Sequence, residues 1–183
     1  MMRTYLLFVY NILVWCIKKL HWGRRYRVDL LERFHPSVRL SLFGSGSSIK
    51  IARNVEIARH GEILVFDDAC VEIGEGCYFN HRLMISCHAG IRIGEGCLFG
   101  PDVKLFDNNH VFSRKQGVST LLSSMPISIG SHCWIASNVV ILKGTTIGDN
   151  CVIGAGCVIS GVIPSGSVVR QKADNIVIEK ITR

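Results

Sequence analysis

The chain has no apolar run long enough to cross a lipid bilayer as a helix. Its longest apolar stretch covers residues 5–17 and is interrupted by Asn11. As an α-helix these residues would span ~20 Å, whereas the hydrocarbon core of a bilayer is ~30 Å thick. The sequence HWGRRYR at residues 21–27 offers no small-x-small cleavage site, so a cleaved signal peptide is not predicted either.

Acidic residues are absent from residues 1–27, which contain six Lys or Arg. The other 15 of the 21 basic residues are balanced by 14 Asp and Glu, so the rest of the chain is nearly neutral. A nucleic-acid-binding domain usually has a basic face on its folded body, so no nucleic-acid partner is expected. The apolar helix with its basic flank at residues 18–27 has two interpretations. It lies in the interface of the inner face of the cell membrane, or it packs on the rest of the protein, including across a trimer interface.

Paired cysteine motifs are also absent. No CxxC occurs among the eight cysteines, so a zinc cluster is not predicted and no metal is expected. Free cysteine behaves as a small buried hydrophobe, and unpaired thiols suit a reducing cytoplasm. Five cysteines each lie four residues after an isoleucine, where we expect an inward side chain: Cys77, Cys97, Cys133, Cys151 and Cys157. The predicted location is therefore cytoplasmic.

In place of long apolar runs, the sequence has a six-residue repeat. A period of six fits neither the 3.6 of an α-helix nor the alternation of a β-hairpin. Hexapeptide repetition is typical of a parallel β-helix, in which each coil buries its inward aliphatics by stacking on its neighbours. The clearest set of repeated residues is Ile129, Ile135, Ile141, Ile147, Ile153 and Ile159.

The repeat covers most of the chain but is interrupted once. VEIGEGCYF at 71–79 and IRIGEGCLF at 91–99 are copies of one motif. Equivalent coils start at Ile51, Ile73, Ile93, Ile129 and Ile147. The step from Ile93 to Ile129 is about twice that of the other coils, which predicts a long inserted loop at about 106–125. A segment of this length in a regular solenoid is usually functional.

The sequence therefore predicts an all-β solenoid in three parts. Pro36 prevents the N-terminal helix from continuing, and the glycine-rich residues 43–48 favour a loop. The parts are an N-terminal amphipathic helix and transition segment at 1–48, a β-helix domain at 49–169 and a C-terminal tail at 170–183.

The run at residues 127–169 resembles the hexapeptide-repeat acyltransferases. It contains IGSHCWIASNVVILKGTTIGDNCVIGAGCVI followed by IPSGSVV. This resemblance, which is to sugar O-acetyltransferases, implies a left-handed parallel β-helix and acetyl-CoA as co-substrate. It also implies a homotrimer with active sites between subunits. The left hand follows from the resemblance, because crossovers between parallel strands are right-handed by default.

The polar cluster Asp107-Asn108-Asn109-His110 opens the inserted loop. Histidine suits a general base near neutral pH, since its unperturbed pKa is ~6.5. In the family that this chain resembles, the catalytic histidine lies on the extended loop ahead of a P-I-x-I-G coil, which reads here as PISIG at 126–130. The resemblance therefore assigns His110 as general base, and we expect Asp107 and Asn109 to contact the substrate.

Three further residues are expected at the site. Asn80 matches an asparagine that lines the acceptor side in related enzymes, where it could bind the acceptor hydroxyl or the developing oxyanion; the alternative is a solvent-facing turn residue. Trp134 matches a tryptophan near the loop, as a wall for substrate or pantetheine, or else packs structurally. His88 follows Cys87 where galactoside-type relatives have an acceptor-binding acid. This difference favours a larger or lipid-linked glycan as the acceptor.

The coenzyme contacts follow from resemblance as well. A groove between coils needs small side chains, and four stand at the corresponding places: Ala136, Ser137, Ala155 and Ser160. The tail VVRQKADNIVIEK at 168–180 lacks the Gly and Pro of the family's Gly-x-Pro-Ala-Lys type motif. Arg170 and Lys172 are expected to hold a phosphate of the coenzyme as point charges.

These features predict an acetyl-CoA-dependent O-acetyltransferase acting on a saccharide, in bacterial surface-polysaccharide or lipid-linked glycan synthesis. N-acetylation of an amino sugar stays open, because the base chemistry is similar. Two other classes remain. One is a non-catalytic β-helix scaffold held at a membrane by residues 1–27. The other is a γ-class carbonic anhydrase, with zinc ligands drawn from His60, His81, His88 and His110.

Overall fold

Three parallel β-sheets wind around a common axis to form the body of the protein. The computed structural model describes the backbone of residues 2–29 and 32–171, and the side chains of residues 9–29 and 32–171. Helix α1 (Met2–Trp22) and a short 3-10 turn (Gly23–Arg25) precede the strands. The chain then makes six coils and part of a seventh.

Each of the first six coils contributes one strand to each sheet. Coils 1 to 3 contain β1 (Tyr26–Val28), β2 (Arg33–Phe34), β3 (Arg39–Leu42), β4 (Ser48–Ile51), β5 (Glu56–Ile57), β6 (Glu62–Val65), β7 (Cys70–Ile73), β8 (Tyr78–Phe79) and β9 (Met84–Cys87). Coil 4 contains β10 (Ile91–Ile93), β11 (Leu98–Phe99) and β12 (Lys104–Phe106), and is followed by β13 (Asn108–Ser113) and β14 (Gly117–Ser124). The remaining strands are β15 (Ile127–Ile129), β16 (Trp134–Ile135), β17 (Val140–Leu142), β18 (Thr146–Ile147), β19 (Val152–Ile153), β20 (Val158–Ile159), β21 (Val162–Ile163) and β22 (Val168–Val169).

The three sheets give the molecule three corners. The first sheet has the order β1-β4-β7-β10-β15-β18-β21, the second β2-β5-β8-β11-β16-β19-β22, and the third β3-β6-β9-β12-β17-β20. All neighbouring strands in these sheets are parallel. The chain turns from the first sheet to the second at the first corner, from the second to the third at the second corner, and from the third back to the first at the third corner.

The predicted fold, a left-handed parallel β-helix with an N-terminal helix, is confirmed. Two details differ from the prediction. The β-helix begins at Tyr26 and not at residue 49, because β1, β2 and β3 pair in register with the strands of coil 2. The insertion, predicted as a loop at about 106–125, contains the antiparallel pair β13–β14. We call this pair the hairpin.

The core is a column of inward side chains that repeats from coil to coil. Ile49, Ile57 and Ile63 are fully buried, and equivalent aliphatics follow in each later coil. The five cysteines predicted to point inward are buried. Four of them also donate an S–H to a backbone carbonyl of the next coil, at 3.0–3.1 Å: Cys77 to Gly94, Cys97 to Gly130, Cys133 to Gly148 and Cys151 to Pro164.

The corners need residues that accept special backbone conformations. Asn138 and Asn150 have φ angles of 59° and 57°, in the left-handed region where asparagine is better tolerated than most residues. Gly148 is required for a different reason. A Cβ there would lie 2.5 Å from the backbone nitrogen of Ser165 in the next coil. Coil-to-coil stacking therefore selects a small residue at that position.

Helix α1 covers the N-terminal end of the β-helix. Trp15 and Trp22 pack against the core, and the indole N–H of Trp15 donates to the carbonyl of Val28 in coil 1. One face of the helix therefore packs on the rest of the protein, as one of the two interpretations of the N-terminal segment expected. Across the part of the chain that the structure describes, no helix combines the length and apolarity needed to cross a membrane.

Candidate active site

The hairpin leaves the β-helix at the third corner, between coils 4 and 5. Its strands pair Asn108 with Ser124 and His110 with Leu122, and the register shifts just after His110. Outside the hairpin, Lys143 reaches back to Ser123, with its Nζ 2.7 Å from the Ser123 hydroxyl oxygen. The hairpin is thus fixed at its base and projects away from the solenoid.

Asp107 fixes the base of the hairpin. It is fully buried, and its carboxylate accepts the backbone N–H groups of His88, Ala89 and Gly90, each at 2.8 Å. Its own carbonyl accepts the N–H of Met125 at 2.8 Å, where the second strand returns. This is a correction to the predicted substrate contact. A carboxylate with no exposed surface and a full set of donors positions the hairpin and cannot touch a saccharide.

His110 lies on β13 with an exposed side chain, and it is oriented by the opposite strand. Its Nδ1 is 3.0 Å from the carbonyl oxygen of Ser119. A carbonyl can only accept a hydrogen bond, so Nδ1 carries the proton and the neutral ring presents the lone pair of Nε2 to solvent. A neutral imidazole held in this tautomer can take a proton from a hydroxyl group.

Other polar groups surround the root of the hairpin. The amide nitrogen of Asn108 bonds to the carbonyl oxygen of Ser86 and to the Asp107 carboxylate, both at 3.2 Å, whereas Asn109 next to it is exposed. Neither Ser119 nor Lys143 could be recognised as a site residue from the sequence. Their contacts with the hairpin depend on how the two strands pair and on the return of the chain in coil 5.

His88 lies at the same corner, one coil below the hairpin. Its ring stacks on Phe66 with centroids 4.3 Å apart, and Phe66 stacks in turn on Phe43 at 4.7 Å. The Nδ1 of His88 is 3.2 Å from a carboxylate oxygen of Asp67, whose side chain is 75% exposed. The corner therefore does have an exposed acid, although it comes from the preceding coil and sequence matching at His88 could not find it.

Cys87 precedes His88 and has no nucleophilic role in this arrangement. Burial raises the pKa of its thiol, and the nearby Asp107 carboxylate raises it further. A thiol in these surroundings stays protonated near neutral pH, and the thiolate is the reactive form of cysteine. The corner therefore offers a base but no cysteine nucleophile among the residues that line it.

The remaining predicted residues lie on another side of the molecule. Trp134 points outward from the second sheet with 54% of its surface exposed. Asn80 lies at the second corner, where its side-chain oxygen accepts the N–H of His81 at 2.8 Å. The other residues of this group, at the same corner, are Ala136, Ser137, Ala155 and Arg170. These residues lie on the same side of the solenoid as the outward-facing Trp134, and we call this surface the strip.

Two predicted coenzyme residues do not join that strip. Ser160 follows β20 at the third corner, so one chain does not bring it together with Ala136. Lys172 lies outside the described residues. Within one chain the structure therefore forms two groups on different corners, one around His110 and one around Trp134.

The histidines considered as zinc ligands are divided in the same way. His60 and His81 lie at the second corner, whereas His88 and His110 lie at the third. Among residues 9–29 and 32–171, no group of three or more His, Cys, Asp or Glu side chains is placed to hold a metal ion.

Comparison with known proteins finds similarity to acetyltransferases. The model of the bacterial transferase hexapeptide (six repeats) matches residues 126–161. The protein YJL218W of Saccharomyces cerevisiae, named as an acetyltransferase, is 36% identical over 112 residues, covering 61% of this chain and 57% of its own. The galactoside O-acetyltransferase of Escherichia coli K12 is 39% identical over 98 residues, covering 54% and 48%. The matches thus span about half the length of these relatives.

Solved structures agree on the fold. The polySia-specific acetyltransferase NeuO superposes with a TM-score of 0.68 at 22% identity, covering 82% of this chain and 64% of its own. A galactoside acetyltransferase in complex with coenzyme A superposes with a TM-score of 0.50 at 26% identity, covering 88% and 76%. Residues 126–161 thus carry the hexapeptide repeat, and the chain is similar to acetyltransferases over about half of their length.

Proposed function

We propose that the protein is an acetyl-CoA-dependent O-acetyltransferase that acetylates a hydroxyl group of a saccharide, with His110 as the general base. The observation that carries this proposal is the hydrogen bond between Nδ1 of His110 and the carbonyl oxygen of Ser119. It orients the ring and leaves Nε2 as the acceptor. The names of the galactoside acetyltransferases support both the acyl donor and the sugar acceptor.

The reaction is a direct transfer. Nε2 of His110 takes the proton of the acceptor hydroxyl as its oxygen attacks the thioester carbonyl, and a tetrahedral oxyanion forms. When the carbon–sulfur bond breaks, the imidazolium returns the proton to the departing thiolate, so the base is regenerated. The amide NH₂ of half-buried Asn80 is suited to donate to the oxyanion, and holding donor and acceptor together supplies much of the rate.

We infer that the working enzyme is a homotrimer. In one chain, His110 and the strip around Trp134 lie on different corners, so a complete site needs the strip of a neighbouring subunit. The hairpin and Met125 just after it also expose a series of apolar side chains that a second subunit would cover; those of the hairpin are Val111, Phe112, Val118, Leu121 and Leu122. Leu98 and Trp134, more than half exposed on the second sheet, provide a matching apolar surface.

The acceptor is proposed to be part of a bacterial surface polysaccharide or a lipid-linked glycan, modified at the inner face of the cell membrane. The support lies at the third corner, where the exposed carboxylate of Asp67 can accept hydrogen bonds from sugar hydroxyls beside the Phe43–Phe66–His88 stack. A site of this kind, with a few polar groups on an apolar wall, suits a saccharide chain.

The test is thiol release from acetyl-CoA with a panel of saccharide acceptors, comparing the wild type with His110→Ala and His81→Ala. Acceptor-dependent turnover that falls about a hundredfold or more for His110→Ala, and stays near wild type for His81→Ala, is the expected result. Equal turnover in His110→Ala and the wild type would remove His110 as the base. Absence of acetyl-CoA binding would favour a non-catalytic scaffold.

A further inference from the structure

Helix α1 supplies hydrogen-bond donors to backbone carbonyls at the end of the β-helix. Along the solenoid, some backbone N–H groups donate to the following coil, as in Asp29 to Ile51 at 3.1 Å, and others donate to the preceding one, as in Gly76 to Arg53 at 3.2 Å. Coil 1 has no preceding coil, so those of its carbonyls that face the N-terminal end find no partner in a neighbouring coil. An open row of backbone acceptors at a sheet edge invites unwanted pairing unless something covers it.

The face of α1 that meets coil 1 is made of hydrogen-bond donors. Five side chains donate to five carbonyls, drawn from all three sides of the coil: Tyr10 to Pro36 at 3.3 Å, Asn11 to Glu32 at 3.4 Å, Trp15 to Val28, Lys18 to Leu40 at 3.4 Å and Lys19 to Tyr26 at 3.1 Å. The helix thus lies across the end of the prism. Its polar residues are needed on the inside.

The opposite face of α1 is consequently aliphatic and turned to solvent. The exposed fractions are 53% for Val9, 59% for Leu13, 68% for Ile17 and 90% for Leu20. These residues recur every three or four positions, and Cys16, also exposed, lies among them. We call these five residues the outer face. A surface helix normally buries its apolar stripe and exposes its polar one, so this helix is inverted.

We propose that the outer face of α1 binds the headgroup–acyl boundary of an anionic lipid bilayer. This deepens the membrane association in the proposed function by naming the surface and the lipid chemistry. Lys18 and Lys19 face coil 1, but Arg24 and Arg27 are exposed just after the helix and residues 1–27 contain no acid, so anionic headgroups offer the complementary charge. A second copy of the chain would bring the same basic segment against the first, so charge favours the bilayer over pairing of two helices.

The test uses the full-length protein and vesicles of two compositions. We expect wild-type protein to cosediment with phosphatidylglycerol-containing vesicles and about tenfold less with pure phosphatidylcholine vesicles. The variant Ile17→Gln/Leu20→Gln keeps good helix formers and every capping donor, and should lose about tenfold or more of its vesicle binding. The matched control is Val158→Gln/Val162→Gln, two exposed aliphatics in the last coils that should bind as wild type.

Three results would overturn the proposal. The first is that wild-type protein stays in the supernatant with anionic vesicles, and the second is that the α1 variant sediments like wild type. The third is that the oligomer mass of the α1 variant, measured by light scattering, drops below that of wild type. That drop would mean that a second copy of the chain covers the outer face. Turnover with a soluble acceptor should be unchanged in both variants. If no variant turns over any acceptor, the proposed reaction fails while the vesicle result stands on its own.

Discussion

Two buried carboxyl groups of the described chain have opposite surroundings. Asp107 accepts three backbone N–H groups, whereas neither oxygen of Glu32, which is 3% exposed, has a hydrogen-bond partner. The reason lies in the repeat. Arg33 pairs with Glu56, so Glu32 stands in coil 1 where coil 2 has the inward Val55 and coil 3 has Cys77. A carboxyl group thus occupies a position of the apolar column.

The environment of Glu32 predicts how stability depends on pH. Burial, with a further effect of Asp29, raises the pKa of Glu32 to about 9 from an ordinary value of 4.5. Between these values the folded protein binds a proton that the unfolded chain releases, so stability falls as pH rises through this window, by at most about 1.4 kcal/mol per pH unit. Burial lowers the pKa of Lys18 to about 8, which acts in the opposite direction above that pH.

Urea unfolding between pH 5 and 8 measures the effect of Glu32 apart from that of Lys18. We expect Glu32→Gln to unfold at the same urea concentration as wild type near pH 5 and at a clearly higher one at pH 8. The control Glu75→Gln changes an exposed acid paired with Arg53 at 2.8 Å, and should follow wild type within about 0.5 kcal/mol at each pH. Parallel curves for wild type and Glu32→Gln would show that the buried group stays ionised.

At the scale of the element, the hairpin is an exposed structure that depends on one buried side chain. Replacing Asp107 with Asn puts an amide NH₂ where backbone N–H groups already point, so at least one donor loses its acceptor, at a cost of about 1–3 kcal/mol. We expect kcat to fall about a hundredfold, because His110 shifts at the hairpin's end, with little change in the KM for acetyl-CoA.

The matched control for this element is Asp102→Asn. Asp102 lies at the second corner of coil 4, where it forms a surface ion pair with Arg82 at 2.5 Å. Loss of this ion pair should leave kcat near the wild-type value. Hydrogen exchange across β13 and β14 supplies the structural readout. Faster exchange in Asp107→Asn alone supports the positioning role, whereas a wild-type hairpin with lost activity would place Asp107 in the chemistry instead.

The elements show how far the sequence determines the fold. Six-residue spacing is a local signal, and it predicted the coils from residue 49 onward because nearly all the inward positions there are apolar, with Thr145 as an exception. Coil 1 has the same spacing at Val28, Phe34 and Leu40, but Glu32 interrupts the apolar pattern and hides it. The role of the side-chain donors on α1 could not be predicted from the sequence, because the carbonyls that they bind belong to coil 1, which the repeat pattern did not reveal.

The candidate site was less predictable than the fold. His110 stood out because it opens the long insertion, and the resemblance reinforced it. The role of Asp107 was assigned wrongly, because burial at the hairpin root follows from the path of the chain and not from its composition. The separation of His110 from Trp134 could likewise be seen only in the structure. The two residues are only one coil apart in sequence, but they lie on different sides of the solenoid.

At the scale of the whole molecule, a site shared between subunits predicts complementation. His110→Ala removes the base, and Ala155→Trp fills the strip at the second corner, so each variant alone should be inactive. If subunits of the two variants are mixed, about a quarter of the sites combine an intact hairpin with an intact strip, and that share of wild-type turnover should return. The control is a mixture of His110→Ala with His110→Ala/Ala155→Trp, which forms no complete site.

Subunit exchange must be demonstrated for this result to count. Two affinity tags, one on each variant, allow mixed trimers to be isolated before turnover is measured, and in these isolated trimers one site in three should be complete. Mixed trimers that stay inactive would contradict a shared site, and active single variants would show that the site is complete within one subunit.

The position of α1 at one end of the solenoid also sets a distance. Coils are stacked about 4.8 Å apart, the hairpin leaves after coil 4, and a helix is about 10 Å thick. With the outer face of α1 resting on lipid, the axis of the β-helix stands upright, and the root of the hairpin lies roughly 25 Å above the headgroups. In that orientation a sugar joined directly to a lipid of the same bilayer would be out of reach of His110. If the proposed function and the proposed lipid contact both hold, we therefore expect the acetylated hydroxyl on a unit several sugars away from the lipid.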